Sequence, residues 1–216
     1  MNSQRLPELV NRSSLVLAPT LVLASVVAMP TAASSAADQI TAIGAHPGRW
    51  YAFTLLSLVS SALFVPALIA LLELGRQEAP FRTIVGVGLC AVGAFVAVAD
   101  SGTQLVYWQM AHGDRAAMLA LAHRYEHAAG ATAFFTVGGF AFIIGAVLLG
   151  LGLGRARVLP VWAAACIPLG IIVNIVGFAS GSRPLLIASG IILMLGFGRA
   201  AGTAQARVAV VSPAVG

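Results

Sequence analysis

The length of the uncharged runs limits this chain more than any other feature. Residues 13–37 (SSLVLAPTLVLASVVAMPTAASSAA) carry no charge, and neither does the stretch from Ala128 to Gly154. At about 1.5 Å per helical residue, runs of this length cross a hydrocarbon core of about 30 Å. In lipid every backbone N–H and C=O must find its partner within the protein, and for long apolar runs the α-helix does that. Charged residues make up 9% of the 216, against about 25% in soluble domains, so water is not the main solvent here. The fold class is therefore all-α: a polytopic transmembrane helix bundle.

Six spans are read, at about residues 13–35, 50–74, 83–106, 131–154, 158–180 and 184–199, forming one transmembrane domain over residues 1–202. Residues 203–216, small and polar, read as a disordered cytoplasmic tail. For the first run a cleaved signal peptide is the alternative, with Arg5 and Arg12 as its basic end and Ser35-Ala36-Ala37 as the cleavage site. The connector from Asp38 to Arg49 places Ile40 and Ile43 on one edge of a short interfacial helix, ended by His46-Pro47-Gly48. Trp50 and Tyr51 suit an aromatic belt at the membrane surface. Gly86, Cys90 and Ala94 fall four apart, a small-residue stripe for close helix packing, and Asn174 is a candidate for a hydrogen bond between helices. No disulfide is expected between Cys90 and Cys166. Span six, Pro184 to Gly198, is about 22 Å long as a helix, short for a crossing unless Arg183 and Arg199 snorkel.

All twelve basic residues are arginine. With a cytoplasmic N-terminus, eight of them face inside and Arg49, Arg115, Arg124 and Arg183 face outside, which satisfies the positive-inside rule. The expected location is the inner (plasma) membrane with both termini cytoplasmic. All four histidines then fall on the outer side. The arginines are scattered rather than clustered, so a nucleic-acid partner is not indicated. The lipid bilayer is the expected environment, and small-residue helix faces allow a homo-oligomer or a membrane partner.

The segments AHPGRW before span two, LFVPALIALLEL at its end and RARVLPVWAA entering span five resemble a family of small six-span actinobacterial integral membrane proteins, a domain of unknown function. The resemblance implies the six-span fold. That family carries no assigned activity, so no site residue follows from it.

Polar residues concentrate between Asp100 and His127. Asp100 reads as an interfacial carboxylate that shares a helix face with Gln104 and Tyr107 and caps the helix end. A short amphipathic helix between spans three and four follows, N-capped by Asp114 and ended by Gly130, with Met118, Leu121, Ala122 and Tyr125 as its apolar face. Within it, His123-Arg124-Tyr125-Glu126-His127 matches H-x-x-E-H, whose histidines stand four apart and can share a metal beside a glutamate base. That class needs a further carboxylate ligand, and no Asp or Glu follows Glu126. A looser zinc site from His123, His127, His112 and Asp100, with His46 as a substitute ligand, is the candidate metal centre; otherwise no cofactor is expected. A b-type haem is disfavoured because no histidine lies deep in a span.

Three function classes follow. The leading one is a multi-pass membrane protein of structural or accessory type. A small-molecule transporter is the first alternative, with Asn174, Ser57 and Ser189 as its modest polar groups inside the membrane. A membrane metal-dependent hydrolase with an outer-facing His/Asp site is the second.

Overall fold

The structure, a computed structural model, describes residues 5–33 and 35–211. Among these it has eight helices: α1 (Arg5–Ala28), α2 (Ala36–Ala45), α3 (Pro47–Gly75), α4 (Pro80–Met110), α5 (Arg115–Glu126), α6 (Ala129–Arg155), α7 (Val161–Ser180) and α8 (Arg183–Val211). Six of them (α1, α3, α4, α6, α7 and α8) are long and apolar enough to cross a membrane. The chain is an integral membrane helix bundle.

Each span packs mainly against its neighbours in sequence, and α8 closes back onto α1. The six spans thus form a closed ring, threaded up and down. Both short helices lie on the same face of the ring, α2 joining α1 to α3 and α5 joining α4 to α6. That end is called the capped face below, and the opposite end, where α1 begins and α8 ends, the terminal face.

Local chemistry sets the helix boundaries. Pro47 and Pro80 open α3 and α4, where a missing N–H costs nothing. Ser35 caps α2: its hydroxyl accepts from the Asp38 N–H at 3.1 Å and donates to the Asp38 carboxylate at 2.7 Å. Gly181, at φ 62°, closes α7 in the left-handed conformation, and the Ser182 N–H reaches back to the Gly177 carbonyl at 2.9 Å. The turn after α6 uses the same geometry without a glycine. There Arg157 takes φ 54°, and the Val158 N–H bonds the Leu153 carbonyl at 3.0 Å.

Close approach holds the ring together, because burial against lipid gives little hydrophobic gain. A Cβ at Gly86 would stand 2.8 Å from Leu149 N and 2.9 Å from the Gly145 oxygen, so backbone meets backbone where α4 crosses α6. Cys90 lies in this seam, and both it and Cys166 are free thiols. Polar ties add register. Ser60 of α3 donates to the Ala18 carbonyl of α1 at 2.9 Å, and Asn174 of α7 donates to Ser189 of α8 at 3.0 Å. Arginines terminate helices from outside them. Arg49 and Arg183 donate to the last carbonyls of α1, Ala28 and Val27, at 3.3 and 3.1 Å, while Arg207 donates to Leu74 of α3 at 3.0 Å.

Four local expectations change. The helix α1 stops at Ala28 rather than near residue 35, because Met29 precedes Pro30 and is steered out of the helical region. Residues 203–211 continue α8 as helix instead of forming a disordered tail. Their alanines favour helix, Ala204 is buried, and Arg207 is anchored on α3. The remaining positions of that tail, 212–216, lie outside the described residues. The short span six thereby gains length: the apolar helix runs from Arg183 to Arg207. Gly130 lies inside α6, and α5 ends earlier at His127. Trp50 does not sit in the aromatic belt. It is 2% exposed, packed edge-on against Phe53 beneath α2, and only Tyr51 faces outward.

Candidate functional site

Two packed clusters divide the ring along its axis. Toward the terminal face, Leu15, Leu71, Leu149, Ile167 and Phe197 fill the interior. Under the capped face, Ile40 and Ile43 of α2 and Ala122 of α5 close over Trp50, Tyr107 and Leu186. Between these clusters lies a cavity of about 230 Å³ to which all six spans contribute.

Phe64 and Phe142 form its floor, with Phe197 packed behind them. Phe64 of α3 meets Phe142 of α6 and Phe197 of α8 edge to face, with ring centroids 6.3 and 5.5 Å apart. The polar wall is made by Ser25 of α1, Ser57, Ser60 and Ser61 of α3, Asp100 and Gln104 of α4, and Asn174 of α7. The outer faces of the ring carry large apolar residues in their place. Phe95, Val137 and Phe140, for example, are more than half exposed toward the lipid side.

Much of the wall's donor capacity is already committed. Ser25 donates to the Val22 carbonyl at 2.7 Å and Ser60 to Ala18 at 2.9 Å. Asn174 gives its amide nitrogen to Ser189, whose hydroxyl in turn donates to Leu186 at 2.7 Å. That leaves the Asn174 carbonyl oxygen, the Asp100 carboxylate and the Ser57 and Ser61 hydroxyls without a hydrogen-bonded partner among the described residues. Gln104 is only 9% exposed, and no donor reaches its Oε1. Its amide is therefore unanchored and free to turn either half toward a bound group. Asp100 is the single charged residue on the wall, and no arginine or histidine joins it.

Asp100 does not cap a helix end. Beyond it α4 continues through Gln104 and Tyr107 to Met110, about 15 Å further at helical rise. The carboxylate instead stands where the central cavity meets a second one of about 280 Å³, and Asp100, Gln104 and Phe135 line both. This outer cavity runs under the cap, past Gln39 of α2, Tyr125 and Glu126 of α5 and Thr132 of α6. Glu126 also ties the cap down, accepting from the Ala36 N–H of α2 at 3.3 Å. The Tyr125 and Thr103 hydroxyls pair at 3.3 Å.

The four candidate metal ligands do not assemble. His123 and His127 stack on each other at the exposed edge of α5, centroids 4.2 Å apart and 23° between planes. His127 donates from Nδ1 to the His123 carbonyl at 2.9 Å. His112 lies against Trp108 and bonds its carbonyl at 2.7 Å. Asp100 lines the cavity while staying solvent-accessible, and His46 is exposed at the end of α2. Among the described residues no group of three or more His, Cys, Asp or Glu side chains could hold a metal ion. The H-x-x-E-H spacing does produce a two-histidine pair, but its glutamate turns toward α2.

Part of the cavity wall was visible as polar residues within apolar runs, namely Asp100, Gln104, Ser57 and Asn174. Ser25 and the floor residues Phe64 and Phe142 gave no signal, because nothing local distinguishes an inward serine or phenylalanine from an outward one. Comparison with protein-family models, with characterised proteins and with solved structures finds no match.

Proposed function

We propose that this integral membrane protein is a carrier that binds a small solute in the cavity at the centre of its ring. The observation that carries the reading is Asp100, a carboxylate inside a membrane span that faces a cavity rather than an ion-pair partner. A charged group within a span is costly, and where it borders an internal space it marks a solute or ion path. The cavity is walled by discrete polar groups on an apolar ground, as small-molecule sites are. Its two ends also differ: the terminal side is filled by packed side chains, whereas the cap side leads into the outer cavity. One-sided access is what a carrier needs in each of its end states. In the orientation favoured by the arginines, the open side is the outer one and both termini are cytoplasmic. An accessory role, favoured by the sequence, gives no reason for five of the six spans to turn polar groups or phenylalanines toward one shared cavity.

Vesicles reconstituted with the full chain and loaded with small cationic, neutral and anionic solutes provide the test. Loss of at least one solute faster than from protein-free vesicles is expected, and Ser61→Leu, which fills the cavity with an apolar group, is expected to abolish it. Vesicles that hold every solute as well as protein-free ones would remove the carrier reading and return the protein to the accessory class.

A further inference from the structure

Resting on the reading of the cavity as a solute site, we infer that its ligand is a small primary ammonium compound with an apolar body and no carboxylate of its own. Charge gives the first half of the argument. Asp100 is the only charged residue on the wall, and no cation lines the cavity to receive an anionic group. A ligand carboxylate would be buried without a counter-ion and next to a like charge, which opposes binding, whereas an ammonium group is attracted.

Hydrogen bonding gives the second half. The hydroxyl protons of Ser25 and Ser60 and one of the two amide N–H groups of Asn174 are spent within the protein. What remains toward the cavity is led by two acceptors, the Asp100 carboxylate and the Asn174 carbonyl, beside the Ser57 and Ser61 hydroxyls, which can accept as well as donate. Gln104 can turn its oxygen to the same side. A ligand that brings several N–H donors satisfies these groups, and bonds between charged partners are the stronger kind. A quaternary ammonium brings charge without donors and leaves the acceptors unsatisfied.

The rest of the wall sets the body of the ligand. Phe53, Phe64, Phe135, Phe142 and Phe178 surround the same space. A bare inorganic cation would leave most of that apolar wall unused. An alkyl or aryl amine places its body against the rings and its ammonium group at Asp100, where aromatic faces also favour a cation.

Four probes sharing one phenyl body separate the terms, each titrated by calorimetry against the full chain in detergent. Phenethylamine presents the ammonium, phenylalanine adds a carboxylate, the N,N,N-trimethyl derivative removes the N–H donors, and phenylethanol removes the charge. Phenethylamine is expected to bind at least about tenfold tighter than each of the other three, the size of one good charge-assisted contact. Asp100→Asn is expected to bring phenethylamine down to the affinity of phenylethanol while leaving phenylethanol unchanged, which also shows that the variant is folded. Asn174→Leu, which keeps Asp100, is expected to narrow the gap between the primary and the trimethylated amine. Phenylalanine binding as tightly as the amine, or an Asp100→Asn variant that binds the amine unchanged, would overturn the inference. Equal binding of amine and alcohol would also overturn it while leaving the carrier reading intact. If none of the four binds and the vesicles also hold every solute, both readings fall.

Discussion

Asn174 on α7 donates its side-chain amide to the Ser189 hydroxyl on α8 at 3.0 Å, and Ser189 passes its own proton to the Leu186 carbonyl at 2.7 Å. The relay joins the last two spans and, at the same time, turns the oxygen half of Asn174 toward the cavity. Ser189 is fully buried, so Ser189→Ala leaves the Asn174 N–H with nothing to replace its partner. A loss of about 0.5–1.5 kcal/mol is expected, in keeping with hydrogen bonds between membrane helices. The melting temperature in detergent measures it, and Ser180→Ala, at an exposed helix end, serves as the neutral reference.

The α4–α6 crossing predicts a contrast between glycines. Gly86→Ala forces a methyl group within 3 Å of the α6 backbone, whereas Gly88 and Gly139 have nothing within 4 Å of an added Cβ. Gly86→Ala is expected to cost about 1–3 kcal/mol, while Gly88→Ala is expected to be neutral or slightly stabilising through helix propensity. Yield of monodisperse protein and thermal unfolding both read the difference. Equal behaviour of the two variants would mean that the crossing is looser than described.

Arg157 is a strained residue with a simple cure. It holds φ 54° in the turn between α6 and α7, where a non-glycine residue pays for contact between its Cβ and the backbone. Arg157→Gly is expected to raise stability by about 0.5–1 kcal/mol, because glycine adopts this conformation freely. Arg157→Ala, which removes the charge and keeps the strain, should not do so. The pair therefore separates backbone relief from loss of the side chain.

The cap over the cavity depends on α5, and α5 depends on its first residue. Asp114 accepts from the Ala117 N–H at 3.0 Å, and the helix is only twelve residues long with little of it buried. Asp114→Ala removes that cap at a cost of about 1 kcal/mol. Amide hydrogen exchange over residues 115–126 is expected to quicken, with the six spans unchanged. Since Tyr125 and Glu126 line the outer cavity, access to the central one should quicken as well.

The stacked pair His123 and His127 offers two ring nitrogens at an exposed edge and no third ligand nearby. Chelation with EDTA of protein prepared without a histidine tag is expected to leave its melting temperature unchanged. A drop of several degrees, prevented by added Zn²⁺, would demonstrate a structural metal.

The division between what the sequence showed and what it hid has a physical basis. Spans, caps and turns are local, so Asp114 and the His46-Pro47-Gly48 turn announced them directly, as did the small-residue stripe at Gly86, whereas Ser35 was read only as part of a cleavage site. Depth and facing are not local. Asp100 looked interfacial because it lies far along its span from Arg82, and only the continuation of α4 to Met110 and the folding-over of α2 and α5 place it beneath a cap. Trp50 was misplaced for the same reason. The histidines misled in the other direction. Their spacing is a true property of helix geometry, but a metal site needs a third group supplied by another element, and α2, α4 and α6 supply none.

Because every span packs chiefly on the spans next to it in sequence, most of this molecule can assemble hairpin by hairpin as it leaves the ribosome. The seam between α1 and α8 is the exception. It joins the first of these six spans to the sixth, and Ser25 on α1 and Leu193 on α8 line the cavity from either side of it. Until α8 inserts, the polar groups of Asp100, Gln104 and Asn174 line a cavity that lacks its Leu193 wall. A chain stalled before α8 is therefore the form in which these groups meet lipid, and the form that membrane quality control has most reason to recognise.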